Sequence, residues 1–143
     1  FHLHGSLSYY LYPMPVDMRK SFYTLSGIVT SSMNQDVRSG GVFIFVNRYQ
    51  NIMKILHMEY AGMVIYHKKL ESGRFRLPEF DENTTSLTIH WNDLMMMVQN
   101  VKTEQENLTG SDINTQIVNN LFDITFFYLP DLLSSIYVKN GKW

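Results

Sequence analysis

Three closely spaced strand-like runs between Gly41 and Pro78 constrain this chain more than any other feature. Val42 to Val46, Ile52 to Met58 and Met63 to His67 are rich in β-branched and aliphatic residues. Asn47 to Asn51 joins the first two runs and Tyr60-Ala61-Gly62 joins the next two. Loops of that length join antiparallel neighbours, so the spacing predicts a meander. Glu71-Ser72-Gly73 predicts a further turn, returning through Arg74-Phe75-Arg76-Leu77 to Pro78. On that reading Leu70 pairs with Arg74 and Lys68 with Arg76, which places Lys68, Arg74 and Arg76 on one face of a two-stranded ribbon.

Elements on either side of the meander follow from periodicity. Leu7 to Tyr12 reads as a strand closed by Pro13-Met14-Pro15. Asp17 reads as an N-cap, and Met18, Phe22, Leu25, Val29 and Met33 recur at helical spacing, so a helix is expected from Met18 to Ser32. Phe80 to Ser86 is an acidic connection leading to a strand over Leu87 to His90. Trp91, Leu94, Met95, Val98 and Val101 then share one helical face. The expected fold is α+β: an antiparallel meander of about five strands with two main helices packed on one face, plus a C-terminal strand/helix extension. Residues 1–101 form the expected domain, 102–112 a polar linker or loop, and 113–143 an extension packed on the domain or on a partner. Within the extension, Phe122 to Leu129 reads as a strand and Pro130 to Val138 as a short helix.

With 143 residues, 45% of them hydrophobic, the chain is long enough to bury a core without metal or disulfide support. It has no cysteine, which removes thiol chemistry and fits a reducing compartment. The longest purely apolar runs, Val42 to Val46 and Leu94 to Val98, are too short to span a bilayer. No signal peptide is visible, and the expected location is the cytoplasm. The net charge of −1 hides a division: residues 1–76 hold nine Lys/Arg against four Asp/Glu, whereas residues 77–143 hold three against nine. A basic half of this kind points to a polyanionic partner, or to halves that neutralise each other in one fold.

The candidate contacts are Arg19, Lys20, Arg48, Lys68, Lys69, Arg74 and Arg76. Like charges opposed on a ribbon cost about 0.2–1 kcal/mol, so a ribbon carrying them either splays them into water or uses them on an anion. An edge strand guarded by charge is the plain alternative. Arg19 and Lys20, placed in a helix's first turn, would combine with free backbone N–H groups to hold a phosphate, unless Asp17 neutralises them.

Catalytic constellations are weaker. Asp17, Asp36 and Asp93 fall in expected caps or loops, with no strand pattern to converge them on metal ions. His2-Leu3-His4 alternates as a strand-borne metal pair does, but sits where chain ends fray. His57, His67 and His90 stand singly on expected strands. Of the nine Met, Met95-Met96-Met97 reads chiefly as core filling, with a pliable partner surface as the alternative. No catalytic residue, metal ligand or cofactor is assigned.

Several blocks taken in order carry a resemblance. They are Tyr9-Tyr10-Leu11-Tyr12, Pro15-Val16-Asp17-Met18-Arg19-Lys20-Ser21-Phe22, Ser39-Gly40-Gly41 through Asn47-Arg48, Lys54-Ile55-Leu56-His57, and Tyr66-His67-Lys68-Lys69-Leu70 through Leu77-Pro78. From about Tyr9 to Val101 the chain resembles TnpB, the small second-reading-frame protein of bacterial insertion sequences of the IS66 type. It departs at Ser21, where the family usually has Gly, and at Met58-Glu59, where Trp-Asp is common. The resemblance implies a non-enzymatic accessory protein of transposition and DNA recombination, encoded beside the transposase of a mobile element. The expected partners are DNA at the transposon ends, that transposase and a second copy of the chain, with no membrane. An adaptor that binds the transposase without touching DNA is the alternative, and a small His-x-His/Tyr single-strand nuclease is third.

Overall fold

A computed structural model describes residues 3–99 together with two later strands, Asp123–Tyr128 and Ser135–Val138. Its elements in chain order are β1 (Tyr9–Leu11), α1 (Phe22–Ser31), a 3-10 turn (Val37–Ser39), β2 (Val42–Val46), β3 (Ile52–Glu59), β4 (Gly62–Lys69), β5 (Leu87–Ile89), α2 (Trp91–Gln99), β6 (Asp123–Tyr128) and β7 (Ser135–Val138). The sheet order is β5-β1-β2-β3-β4-β6-β7. Neighbours pair antiparallel except β1 and β2, which run parallel with α1 as their crossover. The α+β class and the β2-β3-β4 meander are therefore as expected, in a mixed and mainly antiparallel sheet.

The two helices lie on opposite faces of the sheet, contrary to the expectation that both pack on one. Phe22, Leu25 and Val29 of α1 cluster with Phe43, Phe45, Leu56, Met63 and Ile65. Leu94, Met95, Met97 and Val98 of α2 cluster with the alternate residues Tyr9, Ile44, Ile55 and Tyr66. Because successive strand residues point to opposite faces, a sheet covered on both sides needs continuous apolar strands. β2 meets that need, since all five of its residues are buried. Met95 and Met97 fill the core while Met96 is exposed.

α1 begins at Phe22, four residues later than its apolar spacing suggests, and Asp17 does not cap it. The Lys20 N–H donates to the Asp17 carbonyl at 3.1 Å, closing a separate turn. Ser21 is then extended, with φ −131 and ψ −158, and its side chain makes no capping bond. α2 starts where expected: the His90 N–H donates to Asp93 Oδ2 at 2.8 Å, securing the first turn.

The predicted 68–76 ribbon does not form. β4 ends at Lys69, Lys68 pairs with Met53, and the chain turns at Gly73, whose φ of 80 suits a residue without a Cβ. The returning segment bonds to the β2-β3 loop instead, with the Phe75 N–H donating to the Gln50 carbonyl at 2.7 Å. Phe75 is buried among the α2-side core residues, and its burial anchors the segment by about 1.5–3 kcal/mol. In the C-terminal part, β6 falls within the expected 122–129 strand, whereas Ser135–Val138 is a strand rather than the end of a helix. The expected 102–112 linker and His2 lie outside the described residues.

Candidate nucleic-acid interface

Three connections meet at one end of the sheet. β1 and β2 end there, β3 begins there, β4 ends there, and β5 begins there. The connections are residues 12–21, 47–51 and 70–86. Backbone bonds bind them together: the Val16 N–H donates to the Val46 carbonyl at 3.0 Å, Leu70 to Asn51 at 2.8 Å, and Phe75 to Gln50 at 2.7 Å. Asn47 organises the middle loop. Its Oδ1 accepts the N–H groups of Asn51 and Ile52 at 2.9 Å each, while its Nδ2 donates to Asn51 Oδ1 at 2.7 Å.

All seven candidate cations sit on these connections or on the adjoining end of β4, but not on one face. Arg48, Lys69, Arg74 and Arg76 are exposed. Among the described residues the ion pair at this end joins Arg19 to Asp17. The Arg19 Nε and Nη2 atoms both donate to the Asp17 carboxylate, which also accepts the Arg19 N–H at 2.9 Å. The Arg19 side chain first and its backbone N–H second pull the Asp17 carboxyl down to about 2. Arg19 is thus neutralised within its own turn, and neither it nor Lys20 lies in a helical first turn as expected.

Lys68 also departs from expectation. It is half-buried on the α2 side of β4, whereas Lys69 points to the other side, and desolvation lowers the Lys68 pKa. It cannot share a surface with Arg74 and Arg76 in the manner of a ribbon. Lys54, which is not among the seven candidates, is buried on the α1 side. Its Nζ donates to the Lys20 carbonyl at 2.8 Å, and desolvation lowers its pKa against the opposing pull of Asp17.

Two clefts of about 430 and 350 Å³ share Pro15, Asn47 and Arg48 in their walls. Phe80, Tyr12 and Met14 line the first, and Tyr49 and Met18 the second. Tyr49 is 71% exposed and Phe80 41%. Sequence reasoning passed over both. Their signal was an aromatic residue placed in a polar loop, where burial gives no reason for one.

Asp36, Asp93, His57 and His4 make local contacts. Asp36 accepts the Arg38 N–H at 2.8 Å at the start of the 3-10 turn, and Asp93 holds the start of α2. His57 is buried, with Nδ1 3.1 Å from the Gly41 carbonyl, and His4 is exposed beside Ser6. No helix among the described residues is long and apolar enough to cross a membrane.

These features define a small α+β domain that carries seven Lys/Arg and the exposed aromatics Tyr49 and Phe80 at one end of a mixed sheet. The chain belongs to the family described as IS66 Orf2 like proteins, whose model matches residues 7–107. That family is associated with transposition. An uncharacterized protein of Sinorhizobium fredii is 31% identical over 64 residues, a match covering 45% of this chain and 55% of that protein. The chain thus spans about half the length of that relative. No solved structure matches the chain.

Proposed function

We propose that the protein is a non-catalytic accessory factor of DNA transposition that acts in the bacterial cytoplasm and contacts DNA through the loop-bearing end of its sheet. The observation that supports this reading is the common placement of Arg48, Lys69, Arg74 and Arg76, all exposed, on segments bonded to one another. Arg48 stands on a loop pinned by Asn47, and Arg74 and Arg76 flank the buried Phe75. Cations on pinned backbone hold their spacing before a phosphate arrives, which limits the ordering cost of binding. Phosphate contacts of this kind give register and affinity without sequence preference. Arg19 contributes less, because Asp17 already satisfies it. In this reading the transposase encoded alongside is the protein partner.

A salt titration of duplex affinity tests the proposal. The Arg48→Ala/Arg74→Ala/Arg76→Ala variant should bind more weakly, and its salt slope should flatten by about 0.9 unit for each phosphate that is no longer neutralised. An unchanged slope overturns the assignment of these residues. A wild-type chain that leaves transposon-end DNA unmoved at low salt overturns DNA binding itself and favours a protein-only adaptor.

A further inference from the structure

The geometry points to a second mode of recognition at the same end of the sheet: the clefts beside Arg48 take unpaired bases of single-stranded DNA. This inference rests on the DNA-binding reading and names the form of DNA. Tyr49 and Phe80 are exposed aromatics in the walls of two clefts that share one exposed arginine. Aromatic faces interleaved with cations are what a strand of unstacked nucleotides requires, since each base offers a π-face and each linkage an anion. A base inside a duplex has both faces covered by its neighbours, so it has no use for these rings. Each cleft, at about 430 and 350 Å³, falls in the size range of small-molecule pockets.

The scaffold supports the arrangement. Tyr12, in the wall of the first cleft, is held with its ring centroid 6.0 Å from that of Phe45, and Pro13 and Pro15 stiffen the segment beside it. Asn47 locks the loop that presents both Arg48 and Tyr49. Arg48, the one charged side chain in the wall of the first cleft, favours an anionic occupant, and the exposed rings favour a nucleic acid over an acidic peptide. The one carboxylate in either wall is Asp17, already occupied by Arg19. Glu79 and Asp81, the chain neighbours of Phe80, are exposed but line neither cleft.

Fluorescence anisotropy on the full chain tests the inference, using a labelled single strand of about 12 nucleotides, within the usual site size of such grooves, and the duplex of the same sequence. Tyr49→Ala and Phe80→Ala should each weaken single-strand binding about tenfold. Tyr49→Trp should retain it, and duplex affinity should stay within about twofold in all three variants. Both side chains are exposed, so melting curves matching the wild type accompany the expected result. Equal losses on both forms of DNA, or no loss on the single strand, overturn the inference. If duplex binding still depends on Arg48, Arg74 and Arg76, the functional proposal survives that failure. A chain that binds neither form overturns both.

Discussion

Lys54 Nζ donates to the Lys20 carbonyl oxygen at 2.8 Å, so a side chain rooted in the middle of the sheet holds the turn that leads into α1. Lys54→Met removes this bond but also relieves the burial of an ammonium group, and the two effects oppose each other. Folding stability near neutral pH should therefore move by no more than about 1 kcal/mol. Duplex affinity should change little, because neither Lys54 nor the half-buried Lys20 is among the four exposed cations assigned to DNA. Urea unfolding and a salt-matched binding titration check the two expectations.

The same lysine makes a pH prediction. Its pKa lies below the ordinary 10.5 because burial disfavours its charged form. Between the folded and unfolded values the unfolded chain binds more protons, so stability rises with pH across that window. The gain is complete above about pH 10.5 and is lost as pH falls through the folded value. The urea midpoint of the wild type minus that of Lys54→Met should increase from pH 7 upward. A flat difference would show that Lys54 is solvated.

Asp17→Asn should strengthen DNA binding. It frees the Arg19 guanidinium and removes a negative charge from the proposed contact surface. The salt slope should steepen by about 0.9 unit if Arg19 then reaches a phosphate. In acid the wild-type carboxylate, held down to about 2, supports its turn fully above its unfolded value of 3.8. That support is lost as pH falls through about 2. Amide exchange at Arg19, read against pH in both proteins, follows the loss.

Asn47→Ala should cost about 1–3 kcal/mol, since it strips two backbone N–H groups of their acceptor and Asn51 of its amide donor. Denaturant unfolding gives the figure. Asn47→Asp keeps the acceptor and should recover part of the stability, while its charge beside Arg48 lowers DNA affinity.

Gly41→Ala and Gly27→Ala form a contrasting pair. A Cβ at Gly41 would stand 2.9 Å from Phe43 Cζ and 3.1 Å from Tyr10 Cε2, against two rings stacked with centroids 5.6 Å apart. The expected cost is about 1–3 kcal/mol. At Gly27, in α1, an added Cβ meets nothing within 4 Å. There alanine should stabilise by about 0.5–1 kcal/mol through helix propensity. Thermal melts should move in opposite directions.

Strands and helix starts with purely local causes were legible in the sequence. The meander followed from apolar runs and short loops, and α2 from its periodicity after His90. What escaped was set by distant partners. Asp17 has the look of a helix cap, but its segment is bonded to Lys54 and Val46, neither of which is near in sequence. Arg74-Phe75-Arg76-Leu77 alternates as a ribbon strand does, and Phe75 is indeed buried, yet its backbone partner is Gln50 rather than β4. The opposite placement of the helices was available in outline. Five consecutive apolar residues in β2 are more than a sheet with one wet face requires. As for the candidate site, the cations were found by counting charge, while their division between exposed, paired and half-buried positions depended on the tertiary structure.

β4 bonds to β3 along one side and to β6 along the other, and β6 lies past residues 7–107, the span matched by the family. A chain shortened after residue 107 would keep the whole family segment yet strip the outer backbone of Gly62–His67 of its partner. Such raw margins recruit strands from other molecules, so the shortened protein should self-associate or precipitate where the full chain does not. Light scattering on the two lengths would register the difference.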